Sequence, residues 1–317
     1  MAQQTSVLSR EAEERPTAPP ADRSALARTT LRSTPGAYSR AWYRFCRDRV
    51  ALFGLALTAV ILAFALGAGL VSQITGYTYW RGELGEQFVA PFSNGHVLGT
   101  DTNGRDVFVR LAYGGRVSLL VAGLAALTTL FIGGTIGAIA GFFGGAIDTI
   151  LMRTVDVLLS IPGLPILILI SVVFRPGVVG LAVIIALLIW PGVSRLIRGE
   201  VLARRSSDYV DAARVIGAPN SRIILKHILP NVVPTMVVWT SLAIPGLILT
   251  EATLSFLGFG VQIPTPSWGN MLDGATDYYA KSWTNVFIPG LMIWLTVLAI
   301  NLIGNGLRDA LDPRLSE

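Results

Sequence analysis

The residues of this 317-residue chain that could carry chemistry are few and scattered. His96 and His227 are the natural general bases, and Cys46 is the single thiol. A hydrolytic site needs a nucleophile and a base in one place, yet the charge pattern described below puts the two histidines on opposite faces of a membrane. One cysteine excludes an internal disulfide framework and a multi-cysteine metal site, leaving a small buried or interfacial thiol as its ordinary role. The pattern GxxxxGK followed by Ser or Thr does not occur, so the chain offers no P-loop for the phosphates of ATP.

Ionisable residues beside apolar stretches are the next candidates, because such a group at mid-bilayer costs about 2.5 to 3.5 kcal/mol. Glu251 follows Asn231 by roughly 30 Å of helix, which places it at the outer interface rather than in a proton pathway. Arg153 and Asp156 are spaced i, i+3 and are expected to neutralise one another near the inner face. A proton-driven carrier would want a carboxylate or histidine at the midplane, and many such carriers show two similar halves. Neither feature stands out in this sequence.

The elements that must hold these residues are membrane helices. Hydrophobic residues make up 52% of the chain and charged residues 14%, more apolar surface than one soluble domain can hide. Residues 50–71, 117–143, 157–174, 178–193, 232–250 and 286–303 contain no Asp, Glu, Lys or Arg. A bilayer core needs roughly 20 apolar residues, so the expectation is an all-α integral membrane protein of about six spans. Pro162, Pro165, Pro176 and Pro191 interrupt the third and fourth, which a packed bundle tolerates by re-satisfying the freed backbone groups. Gly133, Gly137, Gly141 and Gly145 form small-xxx-small steps that let helices approach closely, either within the chain or against a partner subunit.

Residues 1–36 have the Pro, Ala, Ser and Thr composition of a disordered tail. In 37–49, Tyr38, Trp42 and Phe45 fall at helical spacing with Arg40, Arg44 and Arg47 elsewhere, which reads as an interfacial helix. The membrane domain is then 50–317. The basic excess near this end holds the amino terminus in the cytoplasm, and an even number of spans returns the carboxyl terminus there. The same parity places residues 195–231 inside, and their charges agree: Arg195, Arg198, Arg204, Arg205, Arg214, Arg222 and Lys226 outnumber Glu200, Asp208 and Asp211. Residues 72–116 and 258–285 fall outside, where Tyr77, Tyr79, Trp80, Trp268, Tyr278, Tyr279 and Trp283 suit an aromatic belt or a ligand surface.

Residues 206–231 contain one short helix. Asp208 can cap its start, with Asp211 in a variant capping box; Gly217 suits the left-handed position after its end, and Pro219 stops continuation. Tyr209, Ala212, Ala213 and Ile216 form an apolar stripe at i, i+3, i+4 and i+7, with Val210 beside it and Arg214 off it. A helix of about eight residues is marginal alone, so the stripe needs a surface to pack on. Outside, Thr100 or Asp101 can cap the helix carrying Val107, Leu111 and Tyr113, and Asp101 or Asp106 can pair with Arg105 or Arg110.

The 206–231 stretch is similar to the EAA loop of the permease subunits of bacterial ABC importers: E-A-A, three residues, Gly, nine residues, then I-x-L-P. The matching positions are Asp211, Ala212, Ala213, Gly217, Leu229 and Pro230, with Asp211 in place of Glu and His227 in place of Ile. A second stretch, HVLGTDTNGRDVFVRLAYGGRVSL at 96–119, resembles the outer segment of dipeptide and oligopeptide permeases of the DppC/OppC type through Asp101, Gly104, Arg105, Asp106, Arg110 and their neighbours. Val97 replaces the usual proline. EATLSFLGFG at 251–260, PSWGNML at 266–272 and GNGLRDALDPR at 304–314 look like the same family.

The resemblance implies a type I ABC importer permease without catalytic residues, whose residues 208–217 form a coupling helix docking on a separate ATPase. It implies as partners a second homologous permease, two ATPase subunits that bind ATP and magnesium, an extracytoplasmic peptide-binding protein and the bacterial plasma membrane, and no nucleic acid. It also implies di- or oligopeptides as cargo, moved by alternating access. Relatives of this architecture that import nickel chelates or other small solutes leave the cargo open.

Overall fold

The computed structural model describes residues 37–312. The tail assigned to 1–36, and Pro313 and Arg314 of the last motif, lie outside them. Helix α1 is Ala37–Phe45. Asp48 then caps α2, Arg49–Leu66, by accepting the amide protons of Val50 and Ala51. The first span expected over 50–71 therefore ends early at Gly67, and a separate helix α3, Ala68–Thr75, follows.

Next come α4, Val107–Phe143, and a bent pair, α5, Gly145–Leu159, and α6, Gly163–Phe174, at 81° to one another. Helix α7 is Val178–Arg205 and α8 is Asp208–Val215. Helix α9, Asn220–Phe256, includes a π-helical run, Ile223–Ile228. A four-residue α10, Ala275–Tyr278, precedes α11, Thr284–Leu311. Among the described residues five helices are long and apolar enough to cross a membrane, or up to six if the bent pair is one span.

The helices outrun the charge-free segments. Helix α4 begins ten residues before 117 and α7 continues to Arg205 through Arg195, Arg198 and Arg204. Most of the expected 195–231 loop is therefore helical extension. Pro191 does not end α7, because the lost N–H costs one bond while neighbours hold the helix; Ser194 Oγ donates back to the Pro191 carbonyl, 2.8 Å away.

The glycines explain how α4 and α7 meet. A Cβ on Gly133, Gly137 or Gly141 would stand 2.8, 2.5 and 2.8 Å from the carbonyl oxygens of Trp190, Ser194 and Arg198. Only glycine permits this backbone approach. Both series ascend together, so α4 and α7 run parallel, and the bent pair must return the chain between them. The glycine seam is thus internal to the chain. Gly145 is not part of it, having open space around it.

Helix α11 packs on α2 and α9, and α4 packs on α9. The main core lies between these helices around Val121, Leu181, Ile185, Ile248 and Trp268. The bent pair is held to α7 by ion pairs, Asp148 with Arg198 and Asp156 with Arg195. Arg195 thus takes the place expected for Arg153 as partner of Asp156, because the interhelical approach brings a guanidinium across from the neighbouring helix.

Candidate functional site

The parallel seam puts the Arg205 end of α7, and the helix α8 that follows it, at the Gly144 end of α4, far from Val107. Ser207 occupies the cap of α8, without a side-chain bond, and Asp208 is the first helical residue rather than the cap. Asp211 does not reach back to complete a capping box; its Oδ1 accepts from Arg214 Nη1 at 2.7 Å. The other end follows the sequence. Gly217 has φ +78°, its N–H donates to Arg214 O, and Ala218 N–H donates to Ala213 O. These two bonds make a Schellman motif, which satisfies carbonyls at the helix end.

The packing of α8 divides the expected stripe. Val210 and Ala213 are buried against Ile223, Ile228, Val201 and Ile197 of the same chain. Tyr209 and Ala212 are exposed, as are Val215 at 87% and Ile216 at 83%. Ala213 therefore anchors the helix to its own bundle instead of facing outward. The outward apolar face is Tyr209, Ala212, Val215 and Ile216, with Gly217 open beside it. The i, i+3 spacing alone could not separate the two faces, because Val210 sits one position from the stripe and the α9 surface that buries it is remote in the expected loop.

Below α8, Pro230 has no N–H for the carbonyl of Lys226, so the ordinary helical ladder is interrupted there. The Leu229 N–H reaches back five residues to Ile224 O, which is the wider π ring. Asn231 Nδ2 donates to the His227 carbonyl at 2.7 Å. His227 thus lies in a π turn, with Leu229 and Pro230 directly after it, and the turn is joined to the anchor of α8 through Ile223 and Ile228. Leu229 also lines an apolar groove of about 450 Å³ between α4 and α9 with Phe131, Gly134 and Met236.

At the other end of α4 is a polar cap. Gly104 has φ +70°, and a Cβ there would lie 1.9 Å from Glu83 O, so the turn is confined to glycine. The turn presents Asp101, whose Oδ1 accepts from the amides of Asn103 and Arg105 and whose Oδ2 accepts from Arg105 Nε at 2.8 Å and forms an ion pair with Arg110, 3.3 Å from its Nε. Asp106, not Thr100 or Asp101, caps α4: its Oδ1 accepts from Val109 N at 2.8 Å. Its Oδ2 lies 2.7 Å from His96 Nδ1, while His96 Nε2 lies 3.3 Å from Glu86 and the imidazole stacks on Tyr77. His96 is thereby an internal clamp, and His227 sits in the π turn at the opposite end.

Several buried residues escaped the sequence reading. Glu251 is fully buried rather than interfacial: Ser118 Oγ donates to it at 2.8 Å and Ser255 Oγ at 2.7 Å. The segment after α9 folds back over it, with Trp268 N donating to Ser118 Oγ and Trp268 Nε1 to Leu111 O. The motifs around 251–260 and 266–272 were visible, but not that they close on each other and on α4. Asn285, at the start of α11, donates from Nδ2 to Thr100 O at 2.9 Å. Tyr278 donates to Met271 O, and burial, with Asp273 and Asp101 nearby, pushes its phenol up to about 12.

These two ends define a protein of long apolar helices with a short anchored helix at one end and a hydrogen-bonded polar cap at the other. The chain belongs to the family described as binding-protein-dependent transport system inner membrane component, whose model matches residues 133–317. Residues 37–91 match the N-terminal TM domain of oligopeptide transport permease C. The chain is 41% identical over 273 residues to the oligopeptide transport system permease protein OppC of Haemophilus influenzae, covering 86% of each chain. It is 40% identical over 276 residues to the dipeptide transport system permease protein DppC of Bacillus subtilis, covering 87% of this chain and 85% of that one. The glutathione transport system permease protein GsiD of Pectobacterium atrosepticum is 38% identical over 274 residues, covering 86% of this chain and 90% of that one. The chain is accordingly a multi-pass membrane permease of the type I ABC fold.

Proposed function

We propose that this permease is one of two membrane subunits of an ATP-driven importer of peptides, and that α8 is the helix on which an ATPase subunit docks. The observation that carries this reading is the outward face of α8. Val215 and Ile216 are almost fully exposed on an eight-residue helix that is otherwise anchored, and an exposed apolar patch on an anchored element suits a protein partner. Asp208, Asp211 and Arg214 surround that patch with charge. The basic residues along the end of α7 support a cytoplasmic position for it and for both termini, in a bacterial plasma membrane. ATP and magnesium belong to the partner subunits. Peptide cargo is supported by the printed names of the relatives, and delivery by an external binding protein by the family's description.

In mechanism, closure of the ATPases pushes on Tyr209, Ala212, Val215, Ile216 and Gly217. Val210 and Ala213 pass the displacement to Ile223 and Ile228. The π turn then moves α9, which lines the groove with α4. A second, homologous permease supplies the facing half of the pathway.

Ile216→Glu tests the docking role cleanly, because the residue is exposed and its substitution leaves the Val210–Ala213 anchor in place. The variant is expected to insert in the membrane normally while losing co-purification of the ATPases and peptide uptake. Undiminished co-purification would remove α8 from the docking role. Uptake by the wild-type system is expected to stop when ATP is depleted with the proton gradient held.

A further inference from the structure

The junction of α1 and α2 is pinned to the bundle. Phe45, in the last turn of α1, is buried with Ala51 and Ala310. A Cβ on Gly306 of α11 would stand 2.4 Å from the Ala51 Cβ and 3.5 Å from Phe45 Cε2, so α11 closes tightly on the junction. Helix α11 starts at the polar cap with Asn285. Ala310 and the junction therefore lie at the opposite end, the end that carries α8.

Its outward side carries aromatic rings and unpaired cations together. Trp42 is 66% exposed and Tyr43 58%, and the Arg47 guanidinium stands over the Tyr43 ring, 4.8 Å from its centre. Arg47 and Arg49 are exposed, and among the described residues neither has a carboxylate partner, whereas Arg195, Arg198, Arg204 and Arg214 toward the same end are each paired with Asp or Glu. Arg44 donates from Nη1 to Asp312 O. Three arginines thus outnumber Asp48, whose Oδ1 is committed to the amides of Val50 and Ala51. The next residues fix the depth. Val50 and Phe53 are exposed and begin the apolar outer face of α2, which the hydrocarbon of a bilayer must cover. Arg49 adjoins Val50, and Arg47 precedes it by three residues, so both cations stand at the edge of that hydrocarbon. Exposed aromatic rings beside arginines at this depth suit the headgroup layer, and a guanidinium fork matches phosphate oxygens.

From this geometry we propose that the α1–α2 junction is a docking surface for an anionic phospholipid, its phosphate on Arg47 and Arg49, its headgroup beside Trp42 and Tyr43, and its acyl chains along Val50 and Phe53. Charge makes the choice among lipids. A zwitterionic headgroup returns a cation to a surface that already holds an excess of arginine, while an anionic one does not. Because Phe45 is held between α2 and α11, the lipid bound here touches a fixed part of the bundle. The inference rests on the membrane reading of the long helices and is independent of the cargo.

Cys46, the single thiol of the chain, is exposed within the junction and offers a site-specific probe. The full chain is labelled there with a fluorophore and placed in nanodiscs containing increasing fractions of phosphatidylglycerol or phosphatidylcholine that carries a nitroxide quencher near its headgroup. Phosphatidylglycerol is expected to half-quench the label at a mole fraction lower by more than about tenfold, from two arginines at about fivefold each. Arg47→Gln and Arg49→Gln are each expected to lose about fivefold and the double variant the whole preference, as is the parent in about 1 M salt. Both arginines are exposed, and thermal unfolding in detergent checks that the variants stay folded. Arg175→Gln removes an exposed cation from the turn between α6 and α7, at the opposite end, and is expected to keep the preference. Equal or absent quenching by the two lipids in the parent, a preference that survives in the double variant or in high salt, or an equal loss in Arg175→Gln would each overturn the surface.

Discussion

One oxygen of Asp101 forms ion pairs with two arginines, accepting the Nε–H of Arg105 at 2.8 Å and lying 3.3 Å from Arg110 Nε. The two guanidiniums come from different places, one from the glycine turn and one from the first turn of α4. Their common carboxylate therefore fastens the loop to the helix.

Asp101→Ala leaves Arg110, nearly buried, with its charge uncompensated. Removing one partner of such a pair costs about 3 kcal/mol, and the two lost backbone bonds to Asn103 and Arg105 add to it. Thermal unfolding in detergent should show a marked loss for this variant and a smaller one for Asp101→Asn.

Tyr278 gives the cap an alkaline limit. Its phenol is raised to about 12 from an ordinary value near 10, so the folded cap binds this proton more tightly than the unfolded chain does. The contribution is fully present below about pH 10 and is lost as pH rises through about 12. Stability followed by tryptophan fluorescence should fall across that window, and Tyr278→Phe should flatten the fall while removing the bond to Met271 O.

Gly137 should tolerate no side chain. Its missing Cβ would sit 2.5 Å from Ser194 O, so Gly137→Leu must separate α4 from α7, a strain of at least about 1 to 3 kcal/mol. Gly123 lies in the same helix with nothing near it. Gly123→Ala should express and unfold like the parent, and an equal loss in both variants would contradict the seam.

Glu251 is predicted to be needed as an acceptor. Glu251→Leu strands the buried hydroxyls of Ser118 and Ser255, at about 1 to 3 kcal/mol for each group left unpaired. Glu251→Gln keeps one acceptor oxygen and should lie between Leu and the parent in a melting experiment. Equal melting of all three chains would show that the network adds no stability.

The relation between sequence and structure differs from element to element. Gly217 was legible because a left-handed residue after a short helix has one cheap solution. Asp101, Gly104, Arg105 and Asp106 were legible as a cluster, but the division of labour among them was not. Two carboxylates one to nine residues from two arginines allow several pairings, and the choice fell to the turn at Gly104 and to His96, which occupies Asp106. For Asp156 the nearest arginine in sequence lost to one on a neighbouring helix.

The sequence by itself determined the membrane, the apolar runs that supply its spans and the short helix between α7 and α9, because bilayer thickness and helix periodicity act on runs of adjacent residues. Tertiary structure alone decided which face of that helix remained free, that the glycine seam closed within the chain, and that Glu251 is buried. Each of these depends on what a distant segment covers: α9 takes Val210 and Ala213, α7 fills the groove at Gly137, and the Trp268 segment folds back over Glu251. Spacing along one helix records its faces. It does not record which neighbour arrives.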